Sequence, residues 1–389
     1  MSTWMLKEAL GTRPVILPVL IEECDVPSFL ADHRCFDFRD SFDGPADGLI
    51  ERIAGGKTDD LAWATERSSC LCENVDRQLD LITEAFDRGK LVIFCGAGVS
   101  MSAGIPGWKV FLRGLLSDFF DQTGKSWAAL EQRSSSLAKV YQEYFDLSPI
   151  IVAQYLKNSL GSDFQRTVRD ALYANAPRPS PLIDSICELC RPQRERRALG
   201  SIVNFNFDDL IEQNLEANKI RHQAIFKEGQ RPAPFELPIY HVHGYLPRDA
   251  DPDLTADIVF SEDAYHSKFI DPFSWSNLTQ LNQLHQSTCL FIGLGLTDPN
   301  LRRLLDVAMR KVPEKRTNHF IFKKRYDAED LARHMTRWED LGQSEEHARK
   351  MVRMAEILEE RDCNNLGLNV IWVDEFDDIP PLVSRIASE

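Results

Sequence analysis

The chain has 389 residues, 43% of them hydrophobic, enough to bury one large core and a smaller second one. Its 60 acidic against 45 basic side chains leave a formal net charge of -15 at pH 7, which excludes a surface built to coat nucleic acid. No early segment has the basic start and apolar run of a signal peptide, and no run approaches the ~20 apolar residues that cross a bilayer, so a cytoplasmic protein without a membrane partner is expected.

In chain order, residues 15–21 (VILPVLI) read as a strand whose Pro18 suits an end or edge position, residues 35–38 as a second short strand, and 48–53 as a helix. Gly55-Gly56-Lys57-Thr58-Asp59-Asp60 is turn-forming and polar, and a linker is expected over 57–74. Trp4 and Glu8, together with these two strands, resemble the carboxy-terminal half of a TIR domain. The resemblance implies that Glu8 stands where NAD-cleaving TIR domains keep their catalytic carboxylate. With no room for them upstream of Met1, the first strands and the nucleotide-closing loop of such a domain are not expected in this chain. Half a domain cannot enclose a substrate, so residues 1–56 are expected to be a partial TIR-like segment with a silent Glu8.

A helix over 75–88 carries Leu79, Ile82 and Phe86 on one face and is closed by Gly89. Leu91-Val92-Ile93-Phe94-Cys95 has no residue suited to a wet face and reads as a short buried parallel strand. Gly96-Ala97-Gly98 follows at once, a tight turn that lets an anion approach backbone N–H groups at the start of the next helix. Helices are expected over 108–120, 127–146, 149–159 and 164–175, forming an inserted helical subdomain over about 108–195 whose aromatic residues read as core. The basic run from Arg191 to Arg197 reads as a solvated loop. Ser180 caps a helix over 182–190. Strands then recur at 201–205, 239–242, 258–260, 288–292, 319–322 and 370–373, with helices over 207–215, 272–286, 299–312 and 344–361. That alternation predicts an α/β fold over 75–389, a doubly wound (Rossmann-like) parallel sheet with its ligand crevice at the carboxyl ends of the strands.

The polar residues of interest fall at those ends. Asn206 and Asp208 follow the 201–205 strand, where they either cap the next helix or face a ligand. His241 and His243 share a strand face, so a two-histidine metal site is one reading, although no third ligand stands at a convincing spacing. Gly293-Leu294-Gly295-Leu296-Thr297-Asp298-Pro299 is a second glycine turn, with Asp298 at the N-cap and Pro299 at the first position of the following helix. The 9 cysteines are irregularly spaced, one of them inside the buried strand, and do not form a disulfide framework. Cys187 and Cys190 lie on a predicted helix without a partner pair and read as two free buried thiols, so no metal is expected.

Gly96-Ala97-Gly98-Val99-Ser100 with Ser102-Ala103-Gly104-Ile105-Pro106, then Asn206-Phe207-Asp208, His243-Gly244 and the second glycine turn stand in the order found in sirtuins, the silent information regulator family. The chain is most similar to the zinc-less, sirtuin-like NAD hydrolases of bacterial antiphage defence. The resemblance implies that Gly96, Ala97, Gly98, Ser100, Ser102, Ile105 and Pro106 wrap the pyrophosphate and inner ribose of NAD+. It implies that Asn206 holds the attacking water and a ribose hydroxyl, Asp208 meets the nicotinamide amide, and His243 is the general base, a role suited to a side chain mostly neutral at neutral pH. Gly293, Gly295 and Leu296 would border the adenosine ribose. Asn204, Phe205 and Gly295 depart from the family's usual residues. The implied activity is that of an NAD+ glycohydrolase releasing nicotinamide and ADP-ribose, with NAD+ as substrate. A homo-oligomer and a defence partner such as an ATPase, an Argonaute or a phage protein are implied as well. A deacylase or ADP-ribosyltransferase would need a peptide groove that the sequence does not offer, and a silent NAD or ADP-ribose sensor is the rival from another class.

Overall fold

A computed structural model of the chain describes residues 19–20, 36–37, 63–124, 134–192, 199–249, 258–310, 319–336 and 345–388. The strands are β1 (Val19–Leu20), β2 (Phe36–Asp37), β3 (Leu91–Cys95), β4 (Ser201–Asn204), β5 (His222–Ile225), β6 (Leu237–His241), β7 (Thr288–Ile292), β8 (His319–Lys324) and β9 (Leu368–Val373). Helix α1 (Trp63–Asp87) precedes β3, and between β3 and β4 lie α2 (Ala97–Ser102), α3 (Trp108–Gly124), α4 (Ser134–Phe145), α5 (Pro149–Leu160), α6 (Phe164–Tyr173) and α7 (Pro181–Leu189). Then come α8 (Leu210–Ala217), α9 (Glu262–Ile270), α10 (Trp275–Gln286), α11 (Pro299–Arg310), α12 (Ala328–Met335), α13 (Glu345–Asn365) and α14 (Ile379–Ser388).

The chain divides into two units, Met1–Glu73 with Tyr326–Glu359, and Asn74–Arg325 with Glu360–Glu389. In the first, β1 and β2 pair in parallel, and Ala332 and Met335 of α12 pack with Ala348 of α13. Glu8 and the helix expected over 48–53 lie outside the described residues. The stretch expected as a linker over 57–74 is helical from Trp63 onward, because α1 starts there and runs unbroken to Asp87.

The second unit is built on a sheet of seven parallel strands in the order β5-β6-β4-β3-β7-β8-β9. Without the edge strand β5, the chain order across the sheet is 3-2-1-4-5-6, that of dinucleotide-binding sheets, and it reverses at β3. Cys95 at the end of β3 is level with Asn204 on one side and Ile292 on the other, so the turns after β3, β4 and β7 open into one crevice. Alternate residues of the fully buried β3 feed two cores. Leu91, Ile93 and Cys95 join Leu79, Ile82 and Phe86 of α1 and the helices inserted before β4, whereas Val92 and Phe94 join Phe291, Leu301 and Leu305 on the other face. Phe94 and Phe291 stack with ring centroids 4.6 Å apart.

Residues 258–260 are not the strand expected. Ile258, Val259 and Phe260 are buried, but the segment is tied to the sheet through Val259 N–H on the His243 carbonyl at 2.6 Å, and Phe260 packs into an aromatic cluster with Trp108, Phe164 and Phe207. The further strand is β5, whose His222 and Gln223 are half-buried, as an edge position permits. Ser180 caps α7 as expected, its Oγ accepting Ile183 N–H at 3.3 Å.

Candidate functional site

Two glycine turns meet at the switch point. Gly96 N–H donates to the Ile292 carbonyl at 2.9 Å and Gly98 N–H to the Gly293 carbonyl at 2.9 Å, while Val99 N–H returns to Gly96 at 3.0 Å. A Cβ on Gly98 would lie 2.7 Å from Gly293 Cα, and Gly293 itself has a φ of +69°. These glycines therefore let two loops touch; the N–H groups of Gly96 and Gly98 are spent on that contact, and that of Val99 on the Gly96 carbonyl within its own turn. Ser102 is also turned away, its Oγ donating to the Val99 carbonyl at 2.6 Å and meeting Ser180 Oγ at 2.7 Å.

The turn after β4 is a buried polar network. Asn206 Nδ2 donates to the Gly96 carbonyl at 2.9 Å, which fixes the amide and leaves Oδ1 as an acceptor without a protein partner among the described residues. Asp208 is almost fully buried; Oδ2 accepts Ser100 O–H at 2.6 Å and Oδ1 accepts Leu210 N–H at 3.3 Å. Burial pushes its carboxyl up to about 6, against the pull of those two bonds. Beneath it, His241 is enclosed, with Nε2 2.6 Å from Glu212 Oε1 and Nδ1 3.1 Å from the Asn206 carbonyl. Burial works against the imidazolium, but Glu212 and the Asn206 carbonyl outweigh it and raise the pKa. Both ring nitrogens are engaged, one by the Glu212 carboxyl and the other by the Asn206 carbonyl, so no lone pair is left for a metal. The two-histidine metal reading fails on that ground.

His243 lies past the end of β6. Its Nε2 is 3.2 Å from Asp298 Oδ2, and its ring is edge-on to Phe205 at 4.8 Å and to Tyr265 at 5.9 Å. Asp298 does cap α11, with Oδ1 accepting Leu301 N–H at 2.9 Å, but its other oxygen takes Tyr265 O–H at 3.3 Å besides facing His243. Burial opposes the Asp298 charge, yet His243 and the backbone N–H groups of Leu301 and Asn300 hold the carboxyl below the usual range. Burial and the Asp298 carboxylate push the Tyr265 phenol up.

These groups converge on one cavity of about 390 Å³ at the carboxyl ends of β3, β4 and β7. Of the residues singled out in the sequence, Ala97, Ser100, Ile105, Pro106, Asn206, Asp208, His243, Gly293, Gly295 and Leu296 line it, whereas Gly96, Gly98 and Ser102 do not. Trp108, Phe111, Phe205, Phe207 and Val259 supply an apolar wall. Sequence reading missed Tyr265, which lines the cavity from α9, and the second role of Asp298, whose capping signal was self-sufficient. No lysine or arginine is among the lining residues, and two carboxylates, Asp208 and Asp298, are. Among the described residues no group of three or more His, Cys, Asp or Glu side chains is arranged to hold a metal ion, and no helix is long and apolar enough to cross a membrane. Cys187 and Cys190 are buried free thiols, and burial pushes Cys187 up to about 12.

Residues 200–344 match the family model of the SIR2-like domain, a span that includes Asn206, Asp208, His243 and Asp298. Over 304 residues the chain is 23% identical to the NAD(+) hydrolase ThsA of Enterococcus faecium, covering 78% of this chain and 56% of that protein. It is also 23% identical over 315 residues to the NAD(+) hydrolase ThsA of Acinetobacter baumannii, covering 79% of this chain and 55% of that one. The chain spans about half the length of the curated relatives it matches.

Proposed function

We propose that this SIR2-like chain hydrolyses the N-glycosidic bond of NAD+ to give nicotinamide and ADP-ribose. The observation that carries the reading is the convergence of Asn206 and His243, with the two glycine turns, on one cavity at the switch point of a dinucleotide-binding sheet. NAD+ enters with its nicotinamide ribose facing Asn206 and His243 and its pyrophosphate toward Ala97 and Ser100. The unpaired Asn206 Oδ1 accepts from a water or a ribose hydroxyl, placing the oxygen for attack. As the bond breaks, its electron pair neutralises the pyridinium nitrogen and positive charge spreads over the sugar ring. Asp208 and Asp298, with no cationic side chain in the lining, favour that charge. His243 takes the proton released as water adds to the anomeric carbon. The names of the relatives support NAD+ as the substrate, and loss of cellular NAD+ fits an effector of antiphage defence acting as a homo-oligomer or with a defence partner.

Incubating the full chain with NAD+ in ¹⁸O-labelled water tests this. Equal amounts of nicotinamide and ADP-ribose are expected, the latter with one ¹⁸O on the anomeric carbon. Label-free ADP-ribose attached to protein side chains would instead indicate a transferase.

A further inference from the structure

Asp298 does more than its capping position requires. A helix cap needs one acceptor, and Oδ1 supplies it to Leu301 N–H at 2.9 Å. Asp298 lines the cavity, and its Oδ2 lies 3.2 Å from His243 Nε2 and 3.3 Å from the Tyr265 hydroxyl that donates to it. An ionised carboxylate only accepts, so its charge at 3.2 Å favours the proton on the nitrogen that faces it. The lone pair of neutral His243 is then on Nδ1, which has no protein partner among the described residues. The ring cannot swing freely, because Phe205 and Tyr265 stand edge-on to it and the His243 carbonyl is held by Val259 N–H at 2.6 Å. The titratable groups sharing the cavity with His243 are Asp298, Tyr265 and Asp208.

Resting on the hydrolase reading and deepening it, we propose that Asp298 is the positioning residue for His243, fixing the Nε2–H tautomer so that Nδ1 is the atom that accepts the reaction's proton. In the balanced step, the water oxygen bonds to the anomeric carbon and the carbon–nitrogen bond breaks with its electron pair going to the nicotinamide ring. The proton shed by the water, directly or through a ribose hydroxyl, passes to Nδ1 and then to solvent. One carboxylate thus orders a helix start and a base together, tying the loop after β7 to the loop after β6.

Asp298→Asn tests the assignment because the amide oxygen keeps the cap while the amide NH₂ is turned toward His243 Nε2, which must then accept. The expected result is inversion to the Nδ1–H tautomer, read from the His243 ¹⁵N resonances in alkaline buffer. With it, kcat for nicotinamide release falls by roughly a hundredfold or more, and KM for NAD+ stays within about threefold. An unchanged tautomer with wild-type kcat overturns the proposal, as does a variant whose loss lies wholly in KM. If Asp298→Asn does not fold, Asp298→Ser keeps a capping oxygen too short to reach His243 and should give a mixture of tautomers and a similar fall in kcat. A single retained tautomer in that variant overturns the proposal too. Should the wild-type chain release no nicotinamide, the hydrolase reading fails, and the ¹⁵N tautomer still decides the role of Asp298.

Discussion

Replacing Gly98 by alanine tests whether the two glycine turns hold the site together. The new Cβ would lie 2.7 Å from Gly293 Cα and 3.2 Å from the Gly293 carbonyl oxygen, which is also the acceptor of Gly98 N–H. Carbon pairs prefer ~3.5–4.0 Å, so the turns must part by about 1 Å. Forcing a methyl group into such a contact costs about 1–3 kcal/mol, and weakening the backbone bond adds about 1 kcal/mol, for a total of about 2–4 kcal/mol. Because Ala97 and Leu294 line the cavity from the two turns, nicotinamide release should fall with stability. Gly114 is the control: it sits in α3 with nothing within 4 Å of an added Cβ, so Gly114→Ala should stabilise by about 0.5–1 kcal/mol. Urea unfolding of both variants followed by fluorescence, beside the nicotinamide assay, makes the comparison. A Gly98→Ala chain as stable as the Gly114→Ala chain would refute the contact between the turns.

Asp208 and His241 make stability depend on pH in the same sense. The Asp208 carboxyl is raised from 3.8 to about 6, so its contribution is full below about pH 4 and is lost as pH rises through 6, a change of about 3 kcal/mol. The stability gained by Asp208→Asn over wild type should therefore grow by up to ~3 kcal/mol between pH 4 and pH 7.5 in denaturant titrations, and a flat difference would contradict the burial argument. The pKa of His241 is also raised, so its contribution is present below its unfolded value near ~6.5 and is lost as pH rises through the folded one. His241→Gln strands Glu212 without a cation and should cost about 3–5 kcal/mol near pH 6, less in alkaline buffer, and should lower kcat because the Asn206 carbonyl loses its donor. Ser180→Ala removes the cap of α7 and the partner of Ser102, and a loss of about 1 kcal/mol by thermal unfolding is expected.

The parts of the fold that sequence revealed are those where one interaction dominates. Leu91–Cys95 is buried on both faces, so every residue is apolar and the strand is plain; the same holds for Thr288–Ile292. Asn206 and His243 were singled out by the resemblance of Asn206-Phe207-Asp208 and His243-Gly244 to sirtuin motifs, and both line one cavity. Sequence reading failed where two roles share one residue or where pairing is non-local. The capping signal of Asp298 hid its contact with His243, and the packing of the Gly98 turn on the Gly293 turn joins residues far apart in the chain, which no local pattern marks. Tyr265 stands in a short charged helix with no apolar face to mark it. Residues 258–260 carry strand-like side chains yet pack as a buried connection, because Phe260 is drawn into the aromatic cluster rather than onto a sheet edge.

The claim at the centre of the account is that Asn206 positions the attacking oxygen over the sugar carbon. Single-turnover nicotinamide release by Asn206→Ala, measured with excess protein over NAD+ alongside a binding titration, tests it most directly. NAD+ binding within about tenfold of wild type and release slowed by at least about a hundredfold are expected. Release at the wild-type rate from a folded Asn206→Ala chain would contradict it.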